Sequence, residues 1–158
     1  MRLIPLTGVS TMVKRKRQPK DVAALLTDLD SPATFIRRSA IIELVDKAAP
    51  EATRPLEALL ADKEAAIRAC AAWALGEIGA DSSVSALSRS LYDMDVDVRR
   101  AAVQSLAALA RPECLAALES ASVDADRWVA EWARRGLARL NRGGRRKPVR
   151  RKGAQPSA

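Results

Sequence analysis

Histidine is absent from this 158-residue chain, and only two cysteines, one tyrosine, one phenylalanine and three tryptophans are present. Without histidine, the usual zinc ligand sets and imidazole-based acid–base catalysis are excluded. Cys70 and Cys114 form neither a CxxC motif nor a disulfide framework, so each reads as a small buried hydrophobe. No apolar run approaches the roughly 20 residues that span a bilayer, and the opening MRLIPLTGVST lacks a long apolar stretch ending in a cleavage site. A cytoplasmic protein is therefore expected. GxSxG, a phosphate-cradling glycine loop and a metal-ligand cluster are all missing. The expectation is a chain that is not an enzyme, with no cofactor, no metal and no small-molecule substrate, although carboxylate chemistry stays open.

What is abundant is small aliphatic residues and charge. The net charge is +8, but it is unevenly placed. Residues 1–17 and 142–158 carry 12 basic residues and no acid, which leaves 15 basic against 19 acidic residues in 18–141, a net of −4. The basicity belongs to the tails. Their clusters are Lys14, Arg15, Lys16 and Arg17 at one end and Arg145, Arg146, Lys147, Arg150, Arg151 and Lys152 at the other. Such tails are expected to be disordered arms that meet phosphates or an acidic protein surface; an anionic membrane is the weaker candidate.

Between the tails the sequence repeats every 31 residues, as 18–48, 49–79, 80–110 and 111–141, without a gap. One position holds Leu25, Leu56, Leu87 and Leu118; another holds Ile36, Ile67, Val98 and Val129. Ala40, Ala71, Ala102 and Ala133 share a third, and Leu44, Leu75, Leu106 and Leu137 a fourth. Each copy contains two segments with helical apolar spacing, such as Val22, Leu25 and Leu29, then Ile67, Ala71 and Leu75 in the second type. Ser31, Asp62, Asp93 and Asp124 stand where a side chain serves a turn or an N-cap, and Gly79 suits a helix exit. A lone helix pair leaves an apolar face wet, so neighbouring pairs must stack.

The segment DKEAAIRACAAWALGEIG (Asp62–Gly79), echoed by DMDVDVRRAAVQSLAAL (Asp93–Leu109), resembles the short bacterial HEAT-like repeat, the type also found in phycobilisome lyases. The resemblance implies an all-α, right-handed α-α superhelix of four helical hairpins. It also implies a structural ladder between copies from Arg37, Arg68 and Arg99 to Asp62, Asp93 and Asp124, with Ala130 breaking the arginine column. Activity is not implied so specifically, because the repeat serves scaffolds, lyases and nucleic-acid enzymes alike.

On the second helix of each hairpin, a further stripe lies roughly 120° from the apolar columns, taking about 100° per residue. It carries Phe35 and Ile42, then Trp73, then Trp128 and Trp132, with Arg135 and Arg139, so every tryptophan falls on it. The resemblance places this stripe on the concave wall of the solenoid. Together with Arg100, Arg127 and Glu131 it makes the candidate binding groove, whose expected occupant is another protein. The alternative is that these rings fill gaps between alanine-rich neighbours. Nucleic acid contacted by tails and groove is the second functional reading. Trp128, Glu131 and Trp132 also loosely resemble the groove trio of HEAT-like alkylpurine DNA glycosylases, and the repeat type alone suggests a bilin lyase.

Overall fold

A computed structural model of the chain describes residues 20–142. Eight α-helices and no strand occur among them, paired as α1 (Val22–Asp28) with α2 (Thr34–Asp46), α3 (Thr53–Leu59) with α4 (Ala65–Ile78), α5 (Val84–Ser90) with α6 (Val96–Leu109), and α7 (Leu115–Ala121) with α8 (Arg127–Asn141). Helix starts recur every 31 residues, at Val22, Thr53, Val84 and Leu115, then at Thr34, Ala65, Val96 and Arg127. The first helices have only seven residues each and would not persist alone. They are held by docking Leu25, Leu56, Leu87 and Leu118, all fully buried, against the second helices. Short 3-10 turns at Pro50–Ala52, Asp81–Ser83 and Pro112–Cys114 lead into α3, α5 and α7.

The hairpins stack in chain order. α2 packs on α4, α4 on α6 and α6 on α8, so the second helices form one continuous layer. Ile67, Val98 and Val129, and Leu44, Leu75 and Leu106, are fully buried along it. Ile36 at the first copy and Leu137 at the last are only half-buried, because each lacks a neighbour on one side. This is the expected all-α solenoid.

Two devices join successive copies. The first is the ladder. The Arg68 guanidinium donates from Nε to Asp93 Oδ2 at 2.7 Å and from Nη2 to Oδ1 at 2.8 Å, while Nη1 donates to the carbonyl of Asp62 at 3.0 Å. Arg99 repeats this on Asp124 and the Asp93 carbonyl, both through Nε and Nη1 at 3.0 Å. Arg37 Nε lies 3.0 Å from Asp62 Oδ2 but off the hydrogen-bonding direction, so that rung rests on Nη2 and Oδ1 at 3.2 Å. Each arginine therefore ties the turn of its own hairpin to the next copy. The bond from Arg68 holds the Asp93 carboxyl below the usual carboxylate range, against the opposing effect of burial.

The second device is the turn itself. Asp62, Asp93 and Asp124 accept from the amides of Glu64, Asp95 and Asp126, two residues on, at 2.9, 2.9 and 2.7 Å. They are turn residues, not N-caps. Capping of α6 and α8 falls to Asp95, which accepts from Asp97 and Val98, and to Asp126, which accepts from Val129. At the helix exits Gly79 takes a left-handed conformation, φ 75°. Ala48 and Ala110, its counterparts, take the same conformation at φ 49° and 47° without glycine's freedom.

Candidate functional site

Close approach between α4, α6 and α8 creates the floor of the site. A Cβ added at Gly76 would lie 2.6 Å from Ser105 Cβ and 2.9 Å from Ser105 Cα. One added at Gly136 would lie 2.9 Å from Ala107 Cβ. Small residues are needed at these crossings, and Ser105, itself buried, spends its hydroxyl on the Ala72 carbonyl at 2.8 Å. Larger side chains rise on either side of this floor. Trp73 from α4 and Trp132 from α8 flank a concavity of about 310 Å³, with Gln104 and Ala108 of α6 between them. Glu77 stands on the α4 side, Arg135 and Arg139 on the α8 side.

A second concavity of about 400 Å³ adjoins the first through Trp132 and Arg135, and adds Arg100, Asp126, Arg127, Trp128 and Glu131. Within it the Trp128 and Trp132 rings are 5.3 Å apart and inclined at 40°, and the Arg135 guanidinium lies 5.5 Å from the Trp132 centroid. Arg135 Nε also donates to Glu131 at 3.1 Å. Arg100 is more than a groove residue. It bonds Asp126 at 2.8 Å and Asp97 at 3.2 Å, tying α6 to the start of α8. That bond holds the Asp126 carboxyl below its ordinary range, helped by the Val129 amide.

The structure thus gathers Trp73, Trp128, Trp132, Arg100, Arg127, Glu131, Arg135 and Arg139 into two joined concavities. Phe35 and Ile42 are on α2 and stay apart, 73% and 40% exposed; Phe35 borders a small separate hollow with Lys20, Asp28 and Glu43. The tryptophans are not free surface groups either. Trp73 and Trp132 are half-buried and pack against the core, while Trp128 is 39% exposed. Groove wall and gap filler are two faces of the same rings. Gln104 falls on the same stripe by helical spacing, whereas sequence reasoning missed Gly76, Ser105 and Gly136; the signal was a column of small residues, Ala74, Ser105 and Gly136, interrupted by Glu43 in the first copy.

Burial pushes the thiols of Cys70 and Cys114 up, which disfavours the nucleophilic thiolate. No group of three or more His, Cys, Asp or Glu able to hold a metal occurs among the described residues. No described helix is long and apolar enough to cross a membrane. The basic clusters Lys14–Arg17 and Arg145–Lys152 lie outside the described residues.

A stack of short helical hairpins with a continuous inner layer defines an α-solenoid repeat protein. Residues 22–94 match the model of HEAT repeats, and residues 98–124 that of the PBS lyase HEAT-like repeat. The chain belongs to the HEAT-like repeat proteins. No curated protein matches it. Among solved structures it is similar to human deoxyhypusine hydroxylase in complex with glycerol, at 29% identity and TM-score 0.68, covering 77% of this chain and 44% of that one. The chain thus spans less than half the length of that relative. It is also similar to an engineered protein, at 22% identity and TM-score 0.60, covering 78% and 63%. A third likeness is to the complex of CpcE and CpcF of phycocyanin lyase from Nostoc sp. PCC7120, at 19% identity and TM-score 0.60, covering 86% and 71%. The last two identities show the fold alone.

These neighbours overturn the expectation that the chain is not an enzyme, since a hydroxylase and a lyase complex share its architecture. The physical reason is that the solenoid is held by its core columns, its Arg–Asp ladder and its turns, and not by its exposed stripes. Its exposed stripes are left to carry whatever chemistry they bear, so missing histidine and missing motifs remove particular mechanisms and not catalysis itself.

Proposed function

We propose that this chain docks a polypeptide segment on the inner layer of its solenoid, with Trp73 and Trp132 as anchors and Trp128 extending the contact. One observation carries the reading. All three tryptophans of the chain stand on the same face, and two of them wall a concavity floored by glycine, alanine and serine. Tryptophan beside arginine along a concave wall is the composition of a binding hot spot. The hollow's size suits one or two apolar side chains presented by a helix or an extended segment. A neighbour with this architecture, CpcE with CpcF, is itself an assembly of two polypeptides, which supports the reading. The docked segment is a substrate as readily as a subunit, given that enzymes share the fold. The basic tails supply a second, electrostatic contact in this reading.

The test is selection of peptides from a displayed random library against the full chain. Peptides are expected whose binding falls at least about tenfold in the Trp73→Ala/Trp132→Ala variant while the helical circular dichroism is retained. Failure to obtain any peptide that depends on these two rings would contradict the proposal. Preferential retention of single-stranded nucleic acid by the same two rings would favour the nucleic-acid reading instead.

A further inference from the structure

Charge along the chain changes sign at the start of α8. Residues 20–126 hold 11 basic and 18 acidic residues, a net of −7, whereas residues 127–158 hold 11 basic residues and the single acid Glu131, a net of +10. Of the eight arginines before this boundary, five are engaged within the protein, Arg37, Arg68 and Arg99 in the ladder, Arg100 on Asp126 and Arg111 on Asp81, and the exposed Arg38, Arg54 and Arg89 lie away from the groove. On α8 the arginines stand at the groove itself. Arg127 and Arg139 are exposed and make no ion pair among the described residues, and the ion pair of Arg135 is with Glu131, a residue of its own helix, beside the Trp132 ring. These three line the α8 side of the two joined concavities.

We infer that the segment docked in the groove is acidic: an amphipathic stretch that places apolar side chains between Trp73 and Trp132 and carboxylates along Arg127, Arg135 and Arg139. The inference rests on the docking reading above and names the chemistry of its occupant. Arginine heads on one wall and indole rings on the floor's flanks recognise a carboxylate and an apolar group at neighbouring positions of one chain. Arg142 and the basic sequence after it extend the same sign beyond the helix. A nucleic acid fits less well, for three reasons. The arginines are interleaved with Glu131 and face Glu77 across the hollow. The remaining body, at net −7, repels a long polyanion. The concavity between the tryptophans is also lined mainly by apolar surface, which suits a leucine-like side chain better than a phosphate.

The experiment uses the full chain as bait for a displayed library of short random peptides at low salt. The selected pool should be enriched in Asp and Glu relative to the input, next to a pair of bulky apolar residues. Resynthesised peptides should lose about tenfold or more in affinity toward Arg135→Glu/Arg139→Glu, and the loss should shrink in high salt. The milder Arg135→Gln/Arg139→Gln variant should show a smaller loss in the same direction, so a folding defect in the charge-reversed protein does not decide the matter. Peptides that need Trp73 and Trp132 but carry no acidic bias and ignore the arginine variants would overturn this inference and leave the docking reading intact. Acidic peptides bound equally well after Trp73→Ala/Trp132→Ala would overturn both. Tighter, Arg135- and Arg139-dependent binding of a single-stranded oligouridylate than of any selected peptide would overturn the inference in favour of nucleic acid.

Discussion

Asp93 does three things at once. Its carboxylate receives the Arg68 guanidinium from the preceding copy, closes its own turn through the Asp95 amide, and sits near Arg99. Its pKa is lowered first by the Arg68 hydrogen bond. The sign of the consequence follows from linkage. In the unfolded chain Asp93 takes a proton at the ordinary carboxylate pKa, while in the folded chain it stays ionised to lower pH. Its contribution is therefore complete above the ordinary range and is lost as pH falls through the depressed value. Asp93→Asn should cost about 1 to 3 kcal/mol at neutral pH in urea unfolding, and the gap to the parent should narrow on acidification. A gap that stays constant with pH would remove this rung as a source of acid sensitivity. Ala110 offers the opposite opportunity. It holds a left-handed conformation at φ 47° where Gly79 stands in another copy, so Ala110→Gly should raise stability by about 0.5 to 1 kcal/mol.

At the scale of the helix, α4, α6 and α8 decide how deep the groove is. Gly76 faces the Cα and Cβ of Ser105, which cannot turn aside as the Ser105 hydroxyl can, so Gly76→Ala must push α4 and α6 apart. The expected loss is about 1 to 3 kcal/mol by the same urea assay, and binding of a groove peptide should weaken as well, because Trp73 moves with α4. How much of this was legible in the sequence varies by feature. The buried columns, Leu25 to Leu118 and Ala40 to Ala133, were legible because a fixed 31-residue period repeats one set of contacts. That Trp73 and Trp132 share a stripe was legible from helical spacing. That they face each other across α6 was not, since a whole copy, 80–110, separates them in sequence and only the stacking distance sets the width. The pair of Arg100 and Asp126 was hidden for a different reason. It departs from the ladder register by one residue, and no neighbouring copy repeats it. The two-residue turns at Asp62, Asp93 and Asp124 were visible as a column, but the choice between turn and cap needed the backbone.

The whole molecule treats its two ends differently from its interior. The column that lets each copy approach the one before it is Ala74, Ser105 and Gly136, but Glu43 in the first copy. The column facing the following copy is Ile41, Ala72 and Val103, but Arg134 in the last, where its guanidinium bonds the Ser122 carbonyl at 3.0 Å. The ladder lapses at the same places, at Ser31 and Ala130. A charged side chain at such a position opposes the stacking of a further copy. Glu43→Ala/Arg134→Leu should therefore self-associate in sedimentation at concentrations where the parent does not, and an unchanged distribution would show that these side chains guard nothing. Between the ends lies the face that carries the three tryptophans. Because Trp73, Trp128 and Trp132 are the chain's only tryptophans, emission excited selectively at the indoles, clear of Tyr92, reports on that face alone. The decisive measurement is a fluorescence titration with a selected acidic, apolar-anchored peptide. A blue shift that saturates with the binding curve and is lost with Trp73→Ala/Trp132→Ala is expected; tight binding that leaves the emission unchanged would contradict docking between these rings.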